Sequence, residues 1–150
     1  MEFSVHQLIA ASRAAVWDAI TDIENAAERI EAIQRVEVLA DPGDSLIGFK
    51  WREVRTMFGK QAEETMWIVA AEPQRFYETR AESHGSVYMS RLSVEDAEGG
   101  TRLTISFGAA PQSVGAKIMS ATIGRLFVGA TKKAMRKDLD DIKASVEAKA

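Results

Sequence analysis

Between Leu46 and Phe107 the sequence carries four turn signals separated by runs of β-branched and aromatic residues, which reads as five strands joined by successive hairpins. Side chains alternate between the two faces of a strand, so each turn position dictates a register and each register assigns residues to a face. A two-residue turn at Phe58-Gly59 sets Trp51 opposite Met66, Phe49 opposite Ile68, Glu53 opposite Glu64 and Arg55 opposite Ala62. Lys50 and Arg52 then face Trp67 and Thr65 on the reverse side. A four-residue turn over Ala71-Glu72-Pro73-Gln74 sets Ile68 against Tyr77 and Met66 against Thr79. A tight turn at His84-Gly85 sets Tyr77 against Leu92, Thr79 against Ser90 and Ala81 against Tyr88, leaving Glu78 beside Arg91 outside. A six-residue loop from Glu95 to Gly100 sets Leu92 against Leu103, Ser90 against Ile105 and Tyr88 against Phe107.

The four registers rest on separate turns, yet they place one consistent set of residues on the same face. A slip of one residue at any turn would destroy that agreement. The common face holds Phe49, Trp51, Met66, Ile68, Leu92, Leu103, Ile105 and Phe107. It also holds Glu53, Arg55, Glu64, Tyr77, Thr79, Tyr88 and Ser90, with Ala62 and Ala81 between them. A face that only packed against a helix would be aliphatic almost throughout, because an unpaired buried hydroxyl costs about 1 to 3 kcal/mol. This one is too polar for that.

The partner of the sheet is coded after Pro111. No proline interrupts the run from Gln112 to Ala150, and Gly124, Val128, Thr131, Met135, Leu139, Ile142 and Val146 recur at spacings of three and four, the stripe of one long helix. The opposite face carries Lys132, Lys133, Arg136, Lys137, Asp140, Asp141 and Lys143, so the helix is amphipathic and lays its stripe on the sheet. Asp138 is read with this solvated, charged group. Gly115, Gly124 and Gly129 each cost about 1 kcal/mol against alanine in a helix interior, which points either to a bend or to a helix that roofs a cavity.

Ahead of the hairpins, Phe3 to Ile9 alternates as a first strand, and Ser12 caps a short helix from Arg13 to Asp22 with Val16, Trp17 and Ile20 on its buried side. A second short helix spans about residues 24 to 30, and Val36 and Val38 mark a second strand before the Asp41-Pro42-Gly43-Asp44 turn.

Residues 1–150 suffice for one domain with a sizeable core. Without cysteine there is no disulfide framework, no thiolate nucleophile and no sulfur-ligated metal. His6 and His84 lack partners at metal-ligand spacing, so neither a metal nor a cofactor is expected. The net charge of −3, with basic and acidic residues interspersed, offers no footprint for nucleic acid. No long apolar run is present, so the expectation is a cytoplasmic protein without stable membrane insertion, a monomer or weak homodimer. Trp67 beside Lys50 is an amphipathic surface contact, or less simply a dimer patch.

Three stretches carry a family resemblance. Ile9 to Trp17, then Asp22-Ile23-Glu24-Asn25, then Val36-Glu37-Val38-Leu39 resemble the opening of START-like helix-grip (SRPBCC-type) proteins, and the likeness continues through Gly48 and the Glu72-Pro73-Gln74-Arg75-Phe76 turn to the last helix. Ser12 stands where many relatives have proline. The resemblance implies an α+β fold in which a seven-stranded curved antiparallel sheet grips the long C-terminal helix around a cavity, with two short helices between strands 1 and 2. Relatives include polyketide cyclases, coenzyme Q-binding proteins and lipid carriers, and no catalytic motif maps residue by residue.

On that fold, the hydroxyl row Tyr77, Thr79, Tyr88 and Ser90 either satisfies itself within the core or faces a ligand. The apolar lining would come from Trp51, Met66, Ile68, Leu92, Ile105 and Phe107, with Val128, Thr131 and Met135 from the helix. Glu53 and Glu64, bridged by Arg55, read as a partly wet, salt-bridged rim at the cavity mouth, or alternatively as paired carboxylates for acid–base chemistry. The expected function is binding or transport of a small hydrophobic molecule such as a lipid, quinone or polyketide-like compound. The alternatives are a cyclase or dehydratase using Glu53 or Glu64 with Arg55 and a tyrosine, and an interaction domain with a filled core.

Overall fold

The computed structural model describes residues 2–57, 59–83, 86–111 and 114–149, apart from the side chains of 2, 83, 86, 109–111 and 114–128. The elements follow in the order β1 (Glu2–Ile9), α1 (Arg13–Thr21), a 3-10 segment (Ile23–Glu28), β2 (Ile33–Ala40), β3 (Lys50–Met57), β4 (Lys60–Glu72), β5 (Phe76–Ser83), β6 (Ser86–Ala97), β7 (Gly100–Pro111) and α2 (Val114–Lys149). The seven strands form one antiparallel, curved sheet ordered β1-β7-β6-β5-β4-β3-β2. No described helix is long and apolar enough to cross a membrane.

Local chemistry accounts for the short elements. The Ser12 hydroxyl accepts from the Ala15 amide at 3.1 Å and starts α1, whose Val16, Trp17 and Ile20 are buried. Arg29, after the 3-10 segment, turns back to the Asp22 carboxylate at 3.1 Å and ties the two ends of the segment together.

Two of the four registers expected from the turns hold: Trp51 pairs Met66 and Glu53 pairs Glu64 across β3 and β4, and Thr79 pairs Ser90 across β5 and β6. The other two are corrected. The β4–β5 turn is centred on Pro73-Gln74, with the Arg75 amide donating to Glu72 O at 3.0 Å and Gln74 at φ 58°. Proline followed by a positive φ is the type II pattern. Continued regularly, this turn would bring Val69 and Trp67 onto the face of Thr79. A bulge at Val69 absorbs one residue, so that Ile68 pairs Thr79 and Met66 pairs Ala81. The β6–β7 connection is likewise tighter than a six-residue loop. Strands continue to the Ala97–Gly100 pair, and Leu92 meets Ile105 while Ser90 meets Phe107. Gly100 lies so close to β1 that a Cβ there would stand 2.0 Å from Ile9 O. Both corrections displace the register by two, so every residue keeps its face.

The long helix docks on that face. Thr131, Met135, Leu139, Ile142 and Val146 are all buried, while Gly124 and Val128 lie outside the described side chains. Polar ties fix its C-terminal half to β1: Gln7 Nε2 donates to Asp140 Oδ1 at 2.9 Å, Lys143 Nζ to Leu8 O at 2.8 Å, and the Ala10 amide to Glu147 Oε2 at 2.8 Å. The Glu31 amide donates to Asp141 at 3.0 Å and ties α2 to the start of β2 as well.

Candidate functional site

A cavity of about 370 Å³ lies between the sheet and the helices. Its floor is the face assigned from the turn registers: Trp51, Met66, Tyr77, Thr79, Tyr88, Ser90, Leu92, Ile105 and Phe107 all reach it. α2 supplies Thr131, Met135, Asp138 and Ile142. A third wall comes from α1, the 3-10 segment and the two residues after it, through Ile20, Ile23, Ala26, Arg29 and Ile30, none of which the sequence pattern marks as lining. One expected lining residue falls elsewhere: Ile68 is fully buried in the packed core. The side chain of Val128 lies outside the described residues.

Most hydroxyls on the floor are already engaged. The Thr79 and Ser90 side chains share a hydrogen bond, as directly paired residues can. The Tyr77 hydroxyl donates to Ile20 O at 3.2 Å, and its ring meets Trp17 edge-on at 6.3 Å between centroids. Burial, reinforced by Glu53, pushes the Tyr77 phenol far above its ordinary value, so it stays a donor. Tyr88 stacks on Phe107 at 5.6 Å.

The charged group differs from a wet rim. Glu53 is only 8% exposed and its carboxylate is held from two sides, by Arg55 Nε at 2.9 Å and by Trp51 Nε1 at 3.5 Å. Arg55 bridges Glu53 not to Glu64 but to Asp138 on α2, Nη2 to Oδ2 at 3.1 Å. Glu64 lines the cavity and is half-buried. Burial works to lower the Arg55 guanidinium, but Glu53 and Asp138 outweigh it and hold it above its ordinary value. Burial pushes the Asp138 carboxyl up, with Arg55 pulling against it. Asp138 is 8% exposed and not part of a solvated face. Its position contained the signal: it stands seven residues after Thr131 and three after Met135, inside the stripe. Two buried side-chain oxygens among the described residues have no hydrogen-bond partner, Thr131 Oγ1 and Asp138 Oδ1. Both belong to cavity-lining residues of α2.

His6 is exposed and His84 lies outside the described residues. Outside the cavity, Lys50 Nζ sits 6.0 Å from the centre of the Trp67 ring, the surface contact expected of that pair.

Comparison with known proteins agrees with this architecture. The family model described as polyketide cyclase / dehydrase and lipid transport matches residues 1–147. No curated protein matches the sequence. Among solved structures, TTHA0849 from Thermus thermophilus superposes with a TM-score of 0.81 at 15% identity, covering 100% of this chain and 99% of its own. The Zhui aromatase/cyclase from Streptomyces sp. R1128 gives 0.76 at 13% identity, covering 98% and 93%. A START superfamily protein from Mycobacterium smegmatis gives 0.74 at 16% identity, covering 99% of both chains.

Proposed function

Because the chain belongs to the polyketide cyclase / dehydrase and lipid transport family, we propose that it binds a small, largely apolar molecule of the lipid, quinone or polyketide-like class inside the cavity and acts as a carrier rather than a catalyst. The observation that carries this reading is a cavity of about 370 Å³ with mainly apolar walls, kept open within a core that is otherwise close-packed. Its volume is of the order that small-molecule sites require.

The cyclase or dehydratase alternative needs a carboxylate free to exchange a proton with the ligand. Glu53 is a poor candidate, since both its oxygens are bound, to Arg55 and to Trp51. Native mass spectrometry of freshly purified protein tests the proposal. The expected result is a co-purifying mass that organic extraction removes and that rebinds. Protein that carries no such mass and takes up no neutral apolar dye would contradict it.

A further inference from the structure

We propose that β2, the open edge of the sheet, pairs with β2 of a second copy of this chain, antiparallel about a two-fold axis centred on Val36. The inference concerns the outside of the sheet and does not depend on what the cavity holds.

The two edges of the sheet are finished differently. At the β1 edge, α2 takes up backbone groups at the end of the strand: Lys143 Nζ donates to Leu8 O at 2.8 Å, and the Ala10 amide donates to Glu147 Oε2 at 2.8 Å. β2 is the opposite edge. Among the described residues, none outside β3 hydrogen-bonds to the backbone of residues 35–40. The outward N–H and C=O groups of such a strand are a template for one more strand.

The strand itself limits the register. Irregularities fall between Ile33 and Arg35 and between Val38 and Ala40, so only the stretch from Arg35, opposite Val54, to Val38, opposite Trp51, runs regularly. Within it Arg35 and Glu37 share the outer face, and Val36 and Val38 share the inner one with Glu53 and Trp51. Residues directly opposite in an antiparallel pair lie on one face, so the two-fold axis of a continuous sheet must pass through a residue and not between two. An axis at Arg35 or at Glu37 sets like charges against each other, and an axis at Val38 leaves one opposed pair within the regular stretch. An axis at Val36 sets Val36 against its own copy and Arg35 against Glu37, twice by symmetry.

The charges on the outer face fit that register. Arg52 is shared between Glu37 at 2.9 Å and Glu63 at 3.0 Å, two carboxylates on one guanidinium. Arg35 is exposed and makes no ion pair among the described residues. Arg35 of the second copy therefore brings each cluster the cation it lacks. Self-complementarity of this kind favours a second copy over an unrelated strand. Four residues a side make a small and hence weak interface. The assembly closes at two copies, because pairing uses up β2 and α2 occupies the end of β1.

The test is sedimentation velocity on the intact protein from about 1 μM to about 1 mM, a range that reaches weak equilibria. The expected result is a reversible monomer–dimer equilibrium that concentrated salt weakens. Arg35→Glu and Glu37→Arg should each weaken self-association by about ten-fold or more, since each sets like charges opposite one another twice. An equimolar mixture of the two variants should dimerise again, because every opposed pair between them is then of opposite sign. A parent that stays monomeric throughout, a dimer that survives Arg35→Glu, or two folded variants that fail to complement each other overturns the pairing. Arg35 holds no other charged group, so the parent and Arg35→Glu decide the matter even if Glu37→Arg, which also releases Arg52, does not fold.

Discussion

The guanidinium of Arg55 on β3 lies 3.1 Å from the carboxylate of Asp138 on α2, a tie between sheet and helix made by residues 83 positions apart. The same guanidinium holds Glu53 at 2.9 Å, so one cation serves two buried carboxylates. Arg55→Met should therefore destabilise the fold by about 3 to 5 kcal/mol, because it leaves both carboxylates uncompensated in the interior. Urea denaturation at neutral pH measures this, and a loss below about 1 kcal/mol would show that the group is hydrated, not buried.

Stability should depend on the ionisation of Asp138 in a definite direction. Burial raises its folded-state pKa above the ordinary value of 3.8, so the native protein binds the proton more tightly than the unfolded chain does. In the window between those two values the native state holds more protons, and stability rises as pH falls. The parent should gain on Asp138→Asn as pH is lowered from neutral towards 3.8 and level off below. Denaturation midpoints of both proteins across that range check the sign, and a parent that loses ground on acidification would reverse it.

Leu139 is 1% exposed on the docked stripe of α2. Leu139→Ala should cost about 2 to 5 kcal/mol, the range for large-to-small changes at packed sites. An unchanged thermal midpoint would mean that the helix does not bear on the sheet there.

Ser90 is half-buried on the cavity floor, hydrogen-bonded to Thr79. Ser90→Leu should fill part of the volume and weaken uptake of a neutral apolar dye by about ten-fold or more, while costing about 1 to 3 kcal/mol of stability from the crowding and the unpaired Thr79 hydroxyl. Circular dichroism separates the two effects. A variant that folds and binds dye like the parent would place the occupant elsewhere.

The sheet shows how far local patterns reach. Turn chemistry misplaces two of the four turns, at Ala71–Gln74 and Glu95–Gly100, yet no inner residue changes face, because each error shifts the register by two and a strand repeats every two residues. The bulge at Val69 is not legible in the sequence, since nothing in Ile68-Val69-Ala70 marks an extra residue until the Pro73-Gln74 turn is placed.

What the sequence determined by itself is therefore the membership of faces: which sheet residues point inward, and which helix residues from Thr131 to Val146 form the stripe that meets them. These follow from periods of 2.0 and 3.6 residues, properties of the chain within one element. The tertiary structure alone decided that Arg55 is shared with Asp138 and not with Glu64, that Ile68 is sealed in the core while Met66 on the same face lines a cavity, and that the 3-10 segment closes the third wall. A period assigns a residue to a side, but whether that side meets packed atoms, a counter-charge or empty space depends on the distance and angle between elements, which no single element encodes.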